Sequence, residues 1–178
     1  MSNELLIFFI SGAVAVLSTV MVITRFNMIH ALLYLIVSFL SLAVVFCILG
    51  APFAAALEII IYAGAIVVLI IFVIMMLNLR EESIDQEKEW LTSKIWIGPA
   101  ILSFILLGEL IFILVSGSNV ALSNQLLDSK SVGLSLYGPY LIAVELSGFL
   151  LMAGIVGAYH LGRQRKKVVH RFLENTEQ

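Results

Sequence analysis

The chain has 178 residues, of which 61% are hydrophobic and only 12% charged, with a net charge of -2 and a mean hydropathy of +1.09. A water-soluble domain is nearer half apolar and a quarter charged, so this composition excludes an ordinary soluble core and points to a polytopic membrane protein. The single cysteine, Cys47, excludes a disulfide framework and a cysteine-rich metal or iron–sulfur site within the chain.

The N-terminus, Met1 to Glu4, lacks the basic segment of a secretory signal, so the first apolar run is expected to be a retained helix. Five spans are predicted, at roughly 4–24, 29–49, 53–79, 95–115 and 139–162, each near the 20 or so residues a bilayer needs. Runs this long are helices, because lipid demands that the backbone be paired internally. The expected fold is all-α, with a five-helix membrane domain over 1–162 and a basic cytoplasmic tail over 163–178. The connections Arg25–Met28 and Gly50–Pro52 are very short, so the first three spans should form an antiparallel hairpin series.

A periplasmic N-terminus and a cytoplasmic C-terminus put Arg25, Arg80, Lys88, Lys94, Arg163, Arg165, Lys166, Lys167 and Arg171 inside, leaving only Lys130 of the 10 basic residues outside. Arg80–Ser93 is a polar, mostly acidic linker, and Trp90 and Trp96 fit an interfacial aromatic belt. Ser116–Gly138, rich in Ser, Asn and Gly, is expected to be irregular. The tail can touch anionic headgroups or serve as a stop signal.

The third span is the least generic. Glu58 is an ionisable group in an apolar run, and Tyr62, Ala63, Gly64 and Ala65 follow one turn later. At a spacing of four, Glu58 and Tyr62 share a helix face. Gly64 and its alanine neighbours suit either tight helix packing or a change of hydrogen-bond register such as a π-bulge. Glu109 in the fourth span and Glu145 in the fifth are the other intramembrane acids. All three are expected in the outer half of the membrane, Glu58 roughly 9 Å past Pro52 at about 1.5 Å per residue. Desolvation there favours the neutral acid, which can both donate and accept a proton. Each acid can equally be a fixed hydrogen-bonding group, and Glu109 fits that simpler role best. His160 reads as an interfacial or capping group. Gly148, Ala153-Gly154 and Gly157-Ala158 suggest close helix contact. Tyr34, Phe39, Met75 and Met76 read as packing or lipid-facing residues. No Lys or Arg lies inside a span, which argues against a complete ion pump.

Residues 56–79, ALEIIIYAGAIVVLIIFVIMMLNL, closely resemble the third span of the subunit J family of bacterial NADH:quinone oxidoreductase, complex I, whose mitochondrial counterpart is NADH dehydrogenase subunit 6. HALLYLIVSFLS (His30–Ser41), WIGPAIL (Trp96–Leu102) and GPYLIAVELSGFLLMAGIVGAYHLGR (Gly138–Arg163) are similar to the same family. The resemblance implies a non-catalytic membrane-arm subunit in the bacterial inner membrane. It implies no catalytic residue, metal or cofactor in this chain, with NADH, FMN, iron–sulfur clusters and quinone held by partner subunits. The implied partners are the quinone-site subunit, a small three-helix subunit, the antiporter-like subunits and the lipid bilayer, with no nucleic acid. It further implies a π-bulge around Tyr62 to Val67 that interconverts with α-helix and gates a hydrated proton route. The residues this attaches to proton transfer or coupling are Glu58, Tyr62, Gly64, Val67, Val68 and Glu145. A related module of a multisubunit cation/proton antiporter or a membrane-bound hydrogenase is the alternative.

Overall fold

A computed structural model describes residues 2–77, 94–116 and 127–163. The linker Arg80–Ser93 with Trp90, the last two residues of the predicted third span and the tail beyond Arg163 lie outside the described residues. Described elements are α1 (Ser2–Thr24), α2 (Met28–Ile48), α3 (Pro52–Leu57), a π-helical segment (Glu58–Ile66), α4 (Val67–Leu77), α5 (Lys94–Ser116), α6 (Ser129–Leu136) and α7 (Leu141–Gly162). Five stretches are long and apolar enough to cross a membrane: Glu4–Thr24, Met28–Ile48, Pro52–Met76, Trp96–Val115 and Leu141–Gly162.

The turns between the first spans are set by local chemistry. Asn27 caps α2, its side-chain oxygen accepting from the backbone N–H groups of Ile29 (2.9 Å) and His30 (3.2 Å). At the far end, Gly50 has φ 82, a left-handed conformation that a side chain disfavours. The Ala51 N–H then reaches the Phe46 carbonyl (2.9 Å) and the Gly50 N–H reaches that of Cys47 (3.1 Å). This is a Schellman ending, which satisfies carbonyls the helix would otherwise leave open. Pro52 stands at the start of α3, where a missing N–H costs nothing.

The chain divides into two compact units, Met1–Ser129 and Lys130–Gln178. In the first, α2 is central, packing against α1, α3, the π segment, α4 and α5. Val14 of α1, Val37 of α2 and Leu106 of α5 form the core, with Leu40 and Leu102 beside it. Hydroxyls line part of the α1–α2 seam: those of Thr19 and Ser38 lie 2.9 Å apart, and Ser41 donates to the Ser38 carbonyl at 2.7 Å. At the other end of α2, the Tyr34 ring lies 5.0 Å from that of His30, under the Arg25 guanidinium and against Gly98 of α5. Tyr34 is thus a packing residue, as its sequence context suggests, but of the core and not of the lipid face.

The second unit contains α6 and α7. Helix α6 corrects the expectation that all of Ser116–Gly138 is irregular. Serine and glycine signal loops on average, yet Ser135 folds its hydroxyl back onto the Ser131 carbonyl (3.1 Å), which a helical turn accommodates. The helix ends at Leu136, and in the turn that follows a Cβ on Gly138 would stand 2.7 Å from the Leu134 carbonyl oxygen.

Candidate functional site

The third span begins and ends as α-helix but is π-helical over the nine residues Glu58–Ile66. In a π turn each N–H bonds the carbonyl five residues back instead of four. The exit is marked at Val67, whose N–H points at the carbonyls of both Tyr62 and Gly64. The segment starts four residues upstream of the bulge position that the resemblance implies.

Gly64 supplies the local reason for the register. Five residues before it is Ile59, and a Cβ on Gly64 would lie 3.2 Å from the Ile59 carbonyl oxygen. Such a contact is tight, so the missing side chain eases the five-residue turn here.

Glu58 occupies the first turn of the π segment and is only 8% exposed. An ionised carboxylate at the middle of a membrane helix costs about 3 kcal/mol or more. Such a group calls for water, a partner or a proton. Among the described residues its carboxyl makes no hydrogen bond; its backbone N–H bonds the Ala54 and Ala55 carbonyls. Tyr62 is 45% exposed and packs its ring 5.4 Å from that of Phe39. Glu58 and Tyr62 thus differ in exposure, the first buried and the second half-exposed. Past the segment, Val67 is buried and Val68 exposed, so the span presents one of this pair inward and the other outward.

Beside the start of the π segment lies an apolar cavity of about 450 Å³. Ala43 and Cys47 of α2, Ala55 and Ile59 of the third span, and Leu106 and Leu110 of α5 are among its walls.

Glu109 is placed elsewhere. It is 8% exposed and accepts a 2.7 Å hydrogen bond from the Ser11 hydroxyl of α1. This is the interhelical role its sequence context favours. Ser11 escapes sequence reasoning because its partner is 98 residues away. The available signal is that Ser11 and Ser18 recur at a spacing of seven in an otherwise apolar helix, and both are fully buried. Glu145 lies on α7, in the second unit, and His160 in the last turn of the same helix.

Comparison with known proteins decides the family. The family model for NADH-ubiquinone/plastoquinone oxidoreductase chain 6 matches residues 18–161. The chain belongs to this family. Curated relatives carry one name: NADH-quinone oxidoreductase subunit J of Pseudomonas aeruginosa is 54% identical over 161 residues, covering 90% of this chain and 97% of the relative. The Escherichia coli K12 protein of that name is 50% identical over 159 residues, covering 89% of this chain and 86% of its own length. That of Buchnera aphidicola from Schizaphis graminum is 46% identical over 160 residues, covering 90% and 98%. The region matched to the chain 6 family contains Glu58, Tyr62, Gly64, Val67, Val68, Glu109 and Glu145, whereas Ser11 precedes it.

Proposed function

We propose that this chain is the J-type membrane-arm subunit of a proton-translocating NADH:quinone oxidoreductase and that its third span couples quinone reduction to proton movement. It does so as a mechanical element. It lies in the bacterial inner membrane with its N-terminus periplasmic and its C-terminus cytoplasmic. The chain holds no cofactor or metal and performs no redox step; NADH, FMN, iron–sulfur clusters and quinone belong to partner subunits. Those partners are the quinone-site subunit, the small three-helix subunit and the antiporter-like subunits.

The observation that carries this proposal is the nine-residue π-helical segment inside an otherwise α-helical span. Returning the segment to α-helix changes the register of every residue after the transition. Val67 and Val68, now buried and exposed, would exchange environments, and bulky apolar groups would enter or leave a narrow route. Removing one such side chain from a constriction is enough to wet it. Glu58, at the start of the segment, and Glu145, on α7, would then donate to or accept from the water so admitted. Two packings that differ by a few kcal/mol let the redox state of a partner choose between them.

The test is Gly64→Val in the assembled complex. A Cβ at this place would stand 3.2 Å from the Ile59 carbonyl oxygen in the π register. Each 1.4 kcal/mol against one of two states changes their ratio about tenfold. Proton-coupled NADH:quinone turnover is expected to fall severalfold while assembly is retained. Parental turnover and proton stoichiometry in a fully assembled Gly64→Val complex would falsify the switch. Co-purification separates the family alternatives, since NADH-oxidising subunits accompany the chain only in this assignment.

A further inference from the structure

Helices α1 and α5 enclose a second acidic position, remote from the π segment in the contacts it makes. Glu109 Oε2 accepts from the Ser11 hydroxyl at 2.7 Å, and Glu109 Oε1 is buried without a hydrogen-bond partner. Glu109 also lines a half-open cavity of about 370 Å³, whose other walls are Leu6, Ile7, Ile10, Gly108 and Phe112. We propose that Glu109 and Ser11 form a proton-holding site, in which Glu109 is the neutral acid and exchanges its proton with water in this cavity. The proposal does not depend on the coupling role of the third span.

The two oxygens fit the two parts of a carboxylic acid. Oε2, which accepts from serine, takes the place of the carbonyl oxygen. Oε1, which has no donor directed at it, takes the place of the hydroxyl and needs only an acceptor. A cavity of this size has room for several waters at about 30 Å³ each, and a small turn of the Glu109 side chain, bringing the buried Oε1 to the cavity, gives the first of them an anchor. In the exchange the proton passes from Oε1 to water, giving hydronium and a carboxylate, and the reverse step restores the acid. The Ser11 hydroxyl donates to Oε2 in both forms.

Among the described residues, no cation from the surrounding helices is placed beside the charged form. On α5 itself, Lys94 is about 22 Å along the axis from Glu109 at about 1.5 Å per residue. In the α1–α2 turn, Arg25 is stacked over Tyr34, which in turn sits against Gly98; Gly98 is about 16 Å from Glu109 along α5. His30 of α2 belongs to that same cluster. The remaining titratable groups on the surrounding elements are Glu4 of α1, Cys47 of α2, and Glu58 and Tyr62 of the π segment. None of these supplies positive charge.

Infrared spectroscopy of the purified membrane assembly tests this. At pH 7 the parent should show a protonated-carboxyl carbonyl band that is missing from Glu109→Gln. The band should move to higher frequency in Ser11→Ala, because its carbonyl oxygen loses a donor. It should also shift on transfer to D2O. Gly108→Val supplies a second readout, since a Cβ on Gly108 meets open space and a valine there occupies it. The deuterium shift is expected to be at least severalfold slower in that variant. Identical parental and Glu109→Gln spectra would show an ionised Glu109 and overturn the assignment. A band that survives D2O unshifted, or exchanges at the parental rate in Gly108→Val, would overturn exchange through this cavity.

Discussion

A single hydroxyl decides what residue 98 can be. Tyr34 is buried and its hydroxyl occupies the space a Gly98 Cβ would need. Gly98→Ala should therefore force α2 and α5 apart at an overpacking cost of about 1–3 kcal/mol. The expected result is a lower yield of assembled complex and a lower thermal midpoint. Adding Tyr34→Phe should recover part of both, since the nearest clashing atom is gone. Equal stability of the parent and Gly98→Ala would refute the contact. Ser18 offers the opposite case. Its hydroxyl is fully buried without a hydrogen-bond partner, and such a group costs about 1–3 kcal/mol. Ser18→Ala should leave the thermal midpoint unchanged or raise it; a clear fall would mean that an internal water serves Ser18. Neither residue could be ranked from sequence. Tyr34 reads as one aromatic among many, and Ser18 as one small residue in an apolar helix. Glu58 stood out because a carboxyl in lipid needs a reason wherever it points.

At the scale of the element, legibility follows how local the cause is. The α-helical spans were legible because apolar run length sets them, and the predicted ends of α1 and α2 fall within two residues of those described. The α2 cap was also local: Asn27 needs only the next three residues. Asn27→Ala should cost about 1 kcal/mol, and Gly50→Ala, which places a Cβ on a left-handed backbone, about 1–2 kcal/mol. Both are checked by the midpoint of thermal or denaturant unfolding, and an unchanged midpoint in Gly50→Ala would argue against the Schellman turn. The extent of the π register was less legible. Gly64 marks a place where it is tolerated, but its upstream limit at Glu58 falls where the third span packs against α2, a contact distant in sequence. Helix α6 was missed for a related reason. Its serines and Gly133 lower intrinsic helix propensity, and Ser135 back-bonding to Ser131 is invisible in composition.

Across the whole molecule, the proposed topology rests on charge, and the first unit adds a geometric constraint to it. Arg25, His30 and Tyr34 gather with Gly98 at the α1–α2 turn. The α2–α3 turn lies at the other end of α2, and there the Leu127 N–H bonds the Gly50 carbonyl at 2.9 Å. If α2 spans the bilayer, Leu127 and Phe26 stand on opposite sides, whatever the sign of the orientation. Basic-residue bias then chooses the sign, placing Phe26 beside Arg25 inside and Leu127, close in sequence to Lys130, outside. Two single-cysteine variants on a Cys47→Ser background test both steps. Phe26 and Ser129 are fully or largely solvent-facing in the described structure, so neither substitution disturbs the core. In intact spheroplasts, a membrane-impermeant maleimide should label Ser129→Cys, whereas Phe26→Cys should react only after the membrane is opened. The reverse pattern would invert the proposed orientation but keep the geometry. Labelling of both from one side would break the geometric argument itself, because it would leave α2 unable to cross.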